Sequence, residues 1–336
     1  MSTFMETIYA KAKQGPKKVV FPEGDDERTV EAACHATALG IAKVSLIGTP
    51  AKMEALAKAK GLTLQGVELY DLAKLPHLDD YAKDFLALRK GKVASLDEAK
   101  ATMQKDVYYG AMLVRQGLAD TFVAGAVNTT ADVSRAAIYL IGMKAGIKTL
   151  SSFFVMILPD KAFGKDGVLF YSDGGFVIDP SDEQLADIAV TTGHSYRELM
   201  GEEPAIALLS FSTKGSAKHE RVAKVTRALA LAKAKDPSLN IDGELQGDAA
   251  LVPAVGAKKA PGSPVAGKAN VLIFPDLDSA NIAYKLTERL AHAEAYGPIY
   301  QGTAKPCSDL SRGCKASDIL NVTAINVVRL QNQRPS

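Results

Sequence analysis

Tryptophan is absent from this chain, cysteine occurs three times and histidine five times. That scarcity narrows the chemistry at once. Cys34, Cys307 and Cys314 lack metal-ligand spacing and form an odd set, so reduced thiols in a cytoplasmic protein are the simplest account. His194 and His219 are isolated, with no matching carboxylate or second ligand, and read as satisfied or exposed side chains. Charge of one sign is lacking too. The 40 basic and 38 acidic residues leave +2, which gives no basis for a nucleic-acid or membrane surface. An anionic substrate is still allowed, because a local arginine cluster does not register in a net charge. Long apolar runs are also missing: no stretch approaches the roughly 18 residues of a membrane span, and Met1 to Gly15 is polar and amphipathic, with no signal core. No internal repeat or low-complexity tail is found.

What is present is a regular alternation. A chain of 336 residues, 47% hydrophobic, exceeds one comfortable core, so two domains are expected. Lys17 to Phe21 is a short apolar run stopped by Pro22, and Glu23-Gly24-Asp25 follows as a turn, with Asp25 the expected N-cap of a helix through Ala38. Strand and helix then recur: Val44 to Ile47, Pro50 to Lys60, Val67 to Tyr70, Asp79 to Lys92, Asp106 to Gln116, Asp120 to Gly125. This alternation predicts a parallel sheet covered by helices. Leu150 to Leu158 is the longest apolar strand. Composition changes there, and Val168 to Gly175 resembles its hairpin partner, so a second domain is expected to begin near residue 149. Ser181 to Gln184 forms a capping box, Ala205 to Phe211 and Val271 to Phe274 are buried strands, and Asp276 to Asp278 cap a helix carrying Arg289. Pro253 to Lys268 reads as a long Pro/Gly-rich loop, and Gly297-Pro298 and Gly302 lead on to the C-terminal segment.

Candidate chemistry concentrates in loops that enter helices. Asp309-Leu310-Ser311-Arg312-Gly313-Cys314-Lys315-Ala316-Ser317-Asp318 holds a hydroxyl, a guanidinium, a turn glycine and a carboxylate just before and inside a helix. Such a turn offers backbone N–H groups, a positive helix end and a bidentate cation to an anion, with Asp318 leaning back over the site. A capped surface helix with Arg312 paired and Asp318 solvated is the plain alternative. A second loop, Gly125 to Asp132, follows a strand where α/β sheets bind ligands. Thr129 and Thr130 supply hydroxyls and Arg135 lies about a turn into the helix; N-capping by either threonine is as well supported by the pattern. Phe85 to Lys92, with Arg89, reads as a helix end capped by Gly91 or as a ligand contact. Ser212 to Ala217 is a credible phosphate rest without nucleotide-loop spacing. Asp242, Glu244 and Asp248 could imitate a divalent site, but magnesium would need further oxygen ligands.

Taken together, Phe274-Pro275-Asp276-Leu277-Asp278, Asp242-Gly243-Glu244-Leu245-Gln246, Lys258-Lys259-Ala260-Pro261, Ser263 to Asn270 and Asp309 to Cys314 resemble phosphate acetyltransferase (phosphotransacetylase), in family order and across nearly the whole chain. The resemblance implies a two-domain α/β fold of parallel-sheet α/β/α sandwiches like the isocitrate and isopropylmalate dehydrogenases. Residues 1–148 with 299–336 would form a discontinuous first domain, residues 149–298 the second, and the active site would lie in the interdomain cleft of a homodimer. It implies exchange of an acetyl group between coenzyme A and phosphate, with coenzyme A and acetyl-CoA as substrates and no bound cofactor or metal. Carried over by position, Asp318 matches the catalytic base, Ser311 a hydrogen-bonding hydroxyl and Arg312 an oxyanion or phosphate ligand. Arg89, Arg135 and Arg289 match arginines that bind phosphate or coenzyme A, and Thr129 and Thr130 occupy the acyl-phosphate loop. The chain departs from the family at Asn128, commonly His, and at Cys307-Ser308, commonly Val-Asn, which leaves the acyl pocket's shape open. Rival expectations are a butyryl-type acyltransferase, an NAD-dependent decarboxylating dehydrogenase and a non-catalytic coenzyme A-binding relative. A covalent acyl intermediate on Cys314, placed near a helix start where thiol pKa values fall, is a further alternative.

Overall fold

Apolar runs ending at glycine or proline become strands, and the charged, alanine-rich stretches between them become helices. A computed structural model describes residues 3–333. Two compact units emerge: one runs to Gly142 and resumes at Thr303, and the other spans Met143–Gly302.

The first unit begins α1 (Thr3–Gln14), β1 (Lys17–Phe21), α2 (Glu27–Ala38), β2 (Ala42–Gly48), α3 (Pro50–Ala59) and β3 (Glu68–Asp71), then α4 (Leu78–Leu88), α5 (Leu96–Met103), α6 (Asp106–Arg115), β4 (Thr121–Ala124) and α7 (Thr130–Ala136). The second unit holds β5 (Ser151–Ile157), β6 (Val168–Ser172), α8 (Asp182–Met200), β7 (Ala205–Leu209), α9 (Glu220–Lys235), β8 (Asn240–Leu245), α10 (Gly247–Leu251), α11 (Pro253–Lys259), β9 (Val271–Ile273), α12 (Leu277–Leu290) and β10 (Glu294–Gln301). The chain then returns to the first unit with β11 (Ser308–Asp309) and α13 (Ala316–Asn332).

In the first unit the strand order is β3-β2-β1-β4-β11, parallel throughout. Its centre is apolar on both faces: Val19, Val20, Phe21, Leu46, Ile47 and Phe122 are fully enclosed, as a helix-covered parallel sheet requires. α13 is the last helix to pack there, burying Ile319, Val322, Ile325 and Val328. It is tied to α1 by the Tyr9 hydroxyl, which donates to Asn321 Oδ1 at 2.6 Å.

The second unit departs from a purely parallel sheet. Its order is β10-β5-β6-β9-β7-β8, and β5 is antiparallel to both neighbours. The link from β5 to β6 is too short for the helical crossover a parallel pair needs, so it closes as a hairpin. Four further expectations are corrected. Asp26, not Asp25, caps α2, accepting from Arg28 N and Thr29 N; Asp25 instead accepts from Thr49 N at 2.8 Å, at the start of α3. The 253–268 segment is not all loop: Pro253 starts α11 at N1, where a missing N–H costs nothing. Asp242 and Glu244 lie in β8, and Asp248 in α10. Gly297-Pro298 lies inside β10, with a register shift between Tyr296 and Ile299.

Candidate active site

β4 and β11 run side by side, Ser308 opposite Val123 and Asp309 opposite Ala124. Leu310 N extends the pairing by donating to Ala124 O at 2.7 Å. Two loops therefore leave one sheet edge together, one leading to α7 and one to α13, at the carboxyl ends where α/β folds place ligands. Gly125 makes the approach possible. Its φ is +106°, and a Cβ would stand 2.3 Å from Asp309 Oδ1 and 2.5 Å from Leu310 N. The close contact that this glycine permits is with the neighbouring loop.

In the second of these loops, residues 311–314 form a tight turn closed by Cys314 N donating to Ser311 O at 2.9 Å. Ser311 Oγ accepts from Gly313 N at 3.2 Å, so it shapes the turn and does not cap the helix. Lys315 is the N-cap residue, and its N–H donates to Asp318 Oδ2 at 2.9 Å. Asp318 leans back as its N3 position dictates and stays exposed. The Arg312 side chain is exposed as well, and its backbone carbonyl accepts from Arg28 Nη1 at 2.7 Å. A hydroxyl, an open guanidinium and a carboxylate thus surround the start of α13.

The first loop is held from within. Glu23 is buried, and its carboxylate accepts from Gly125 N (3.1 Å), Ala126 N (2.8 Å), Val127 N (2.9 Å), Asn128 N (2.6 Å) and Asn128 Nδ2 (3.0 Å). These amides form an anion nest of the kind phosphates use, and an internal carboxylate fills it. Thr129 is the N-cap of α7: its Oγ1 accepts from Asp132 N at 3.2 Å and donates to Asp132 Oδ2 at 2.8 Å. Thr130 is exposed at the first position of α7. Arg135 Nη1 stands 3.3 Å from Asp132 Oδ1 with its side chain 55% exposed, so the ion pair is weak.

Arg89 is the C-cap residue of α4. Its guanidinium carbon rests 3.5 Å over the Tyr139 ring, a cation–π contact that holds the charge without neutralising it. Arg89, Arg135, Asp132 and Tyr139 all act electrostatically on Tyr108, whose hydroxyl pKa is raised chiefly by burial. The structure thus gathers Arg89 and Arg135 around one tyrosine. Arg289 lies in the second unit, in the last turn of α12, 79% exposed and 3.9 Å from Glu288.

Other candidates are used up structurally. Burial pushes the Cys314 thiol up to about 11, more than offsetting the nearby Arg28 charge, which disfavours the thiolate that a covalent intermediate needs. In the 212–217 loop, Gly215 N donates to Glu244 Oε1 at 2.7 Å and Lys214 Nζ to Asp242 Oδ1 at 2.5 Å. The β8 carboxylates therefore hold that loop in place of a phosphate. Among the described residues no group of three or more His, Cys, Asp or Glu side chains is arranged to hold a metal ion, and no helix is long and apolar enough to cross a membrane. Glu23, Arg28, Asp106 and Tyr139 were not singled out from sequence. Glu23 was visible only as part of a turn, and each of the others also holds a partner far along the chain, Ala126 for Arg28, Asn128 for Asp106 and Arg89 for Tyr139.

Paired loops at the ends of parallel strands, with exposed guanidinium groups and a carboxylate in a first helical turn, define an α/β protein with a candidate anion site. Comparison with known proteins makes this specific. Residues 3–327 match the family model described as phosphate acetyl/butaryl transferase, and the chain belongs to that family. It is 49% identical over 329 residues to a phosphate acetyltransferase of Acetivibrio thermocellus, covering 98% of both chains. It is 47% identical to one of Thermoanaerobacterium thermosaccharolyticum, covering 98% of this chain and 100% of that one. A crystal structure of a phosphotransacetylase from Streptococcus pyogenes matches with a TM-score of 0.93 at 39% identity, covering 99% of this chain and 100% of the other.

Proposed function

We propose that the chain catalyses reversible transfer of an acetyl group between coenzyme A and inorganic phosphate by direct attack in a ternary complex. The observation that carries this reading is the chemistry at the start of α13: an exposed Arg312 in the turn that enters the helix, and an exposed Asp318 in its first turn. Asp318 takes the thiol proton of coenzyme A as the sulfur attacks acetyl phosphate. A carboxylate is a weak base for a thiol near pKa 8.5, so proton removal runs with attack and not ahead of it. Arg312 stabilises the negative oxygen that develops on the acetyl carbonyl or the phosphate, and Ser311 offers its hydroxyl to the same centre. Arg89, Arg135 and Arg289 receive the phosphate groups of the substrates, and Thr129 and Thr130 line the acyl-phosphate side. Much of the rate comes from holding two substrates in line.

The same reading treats the two compact units as the domains of an isocitrate-dehydrogenase-like fold, the first completed by the C-terminal segment. It places the reaction in the interdomain cleft of a cytoplasmic homodimer. Near-zero net charge and three free cysteines are compatible with the cytoplasm.

The test is direct. Acetyl phosphate and coenzyme A, incubated with the protein and no NAD, are expected to give a rising thioester absorbance. Asp318→Asn should lower kcat by about 10²-fold or more and Arg312→Gln by about 10²–10³-fold. Unchanged turnover in either variant would defeat the assignment of that residue. Rates with acetyl, propionyl and butyryl phosphates assign the acyl class.

A further inference from the structure

Arg28 stands at the second position of α2 and differs from every arginine considered above. A guanidinium has five N–H donors, and here all five are used. Nε donates to Asp26 Oδ1 at 3.0 Å and Nη2 to Asp26 Oδ2 at 2.9 Å. Nη2 also reaches Ala126 O at 2.8 Å. Nη1 donates to Arg312 O at 2.7 Å and Cys314 O at 3.0 Å. No donor is left for a ligand. Three of the five acceptors are backbone carbonyls, one in the loop before α7 and two in the loop before α13.

The carbonyls of Arg312 and Cys314 flank Gly313, so fixing both fixes the turn from which the Arg312 side chain projects. The carbonyl of Ala126 belongs to the peptide segment whose amides hold Glu23. One side chain therefore ties together two loops that leave a short pairing of β4 with β11. Asp26 fixes the fork in turn while capping α2. We infer that Arg28 is a positioning residue for the acyl-transfer site, setting the direction of Arg312 relative to the 125–130 loop. This rests on Arg312 acting on the transferring group, as proposed above.

Lysine cannot do the same work. Its compact ammonium carries three donors and no planar fork, so it cannot span Asp26, Ala126 and the 312–314 turn together. A displacement of about 1 Å in a positioned group typically costs about 10²-fold in rate. Arg28→Lys should therefore lower kcat by about 10²-fold with KM values changed by only a few-fold.

The experiment is a double-mutant cycle on the full chain. Turnover of acetyl phosphate with coenzyme A is measured for the unmodified protein, Arg28→Lys, Arg312→Gln and the pair, with thermal melts recorded for each. If Arg28 acts through the Arg312 turn, Arg28→Lys costs much less when Arg312 is already Gln. A loss of equal size in both backgrounds means general structural damage and overturns the inference, as does unchanged kcat in Arg28→Lys. Undiminished turnover in Arg312→Gln alone would instead overturn the reading of the site itself. Should Arg28→Lys not fold, Asp26→Asn takes its place. Asparagine is as good an N-cap as aspartate but loosens the fork, and the same dependence on background is expected or the inference fails.

Discussion

Half-buried beside the nest that Glu23 fills, Asp106 accepts from Val107 N at 2.6 Å and from Asn128 Nδ2 at 3.3 Å. Burial, helped by the charges of Glu23 and Asp25, pushes its carboxyl up to about 6 against an ordinary 3.8. The folded protein therefore binds this proton more tightly than the unfolded chain, and stability falls as pH rises from about 4 to about 6. The loss is on the order of 2 kcal/mol once partial solvent access is allowed for. Asp106→Asn should flatten that slope, measured as urea midpoints across the same pH range. An unchanged slope would show that Asp106 does not titrate as described. Gly125 allows an equally sharp expectation. Gly125→Ala meets both a positive φ and backbone at 2.5 Å, so a loss of about 3 kcal/mol or more is expected in urea unfolding. Turnover should fall with it, because both loops must shift. Ser311, Arg312 and Asp318 were legible in the sequence because they fall within one short turn and the first turn of a helix. Glu23 and Arg28 were not, because the backbone amides and carbonyls they hold lie between 98 and 286 positions away, and no local pattern encodes a carbonyl or amide that arrives from so far along the chain.

At the scale of elements, strands and helices with clean periodicity were readable, and those with unusual residues were not. β10 contains Gly297-Pro298, and proline in an apolar run normally argues against a strand. The register shift between Tyr296 and Ile299 is what accommodates the pair, and that shift depends on β5. α11 was hidden by its composition. Gly256 suggests a loop, yet a Cβ there would lie 2.6 Å from Gly267 N; the glycine serves close packing and not flexibility. The three β8 and α10 carboxylates could imitate a divalent site in sequence, though short of the oxygen ligands magnesium needs. Alternation along β8 and pairing with Lys214, Ser212 and Lys259 turn them into loop anchors. The capping box at Ser181, by contrast, was readable from four consecutive residues, and both of its reciprocal hydrogen bonds are present.

For the molecule as a whole, α/β class followed from alternation, because strand–helix order constrains sheet type strongly. The return of the chain to the first unit came only from family resemblance, since nothing in a local window says which sheet a strand joins. That return has a stability consequence. Deleting everything after Gly302 removes β11 and α13, and with them the burial partners of α1 and α2. The shortened chain should lose cooperative unfolding of the first unit while the second keeps its own transition, seen by calorimetry. Two intact transitions would contradict the division of the core described here.

The pairing of β4 with β11 also orders events during synthesis. Ala124 leaves the ribosome about 180 residues before its partner Asp309, an interval of roughly 10–40 s at ordinary elongation rates. Throughout it, one side of β4 presents an unsatisfied row of peptide groups, the kind of open edge that recruits unwanted neighbours. The first half of this protein must therefore wait, unfinished and in need of protection, until the last of the chain has been made.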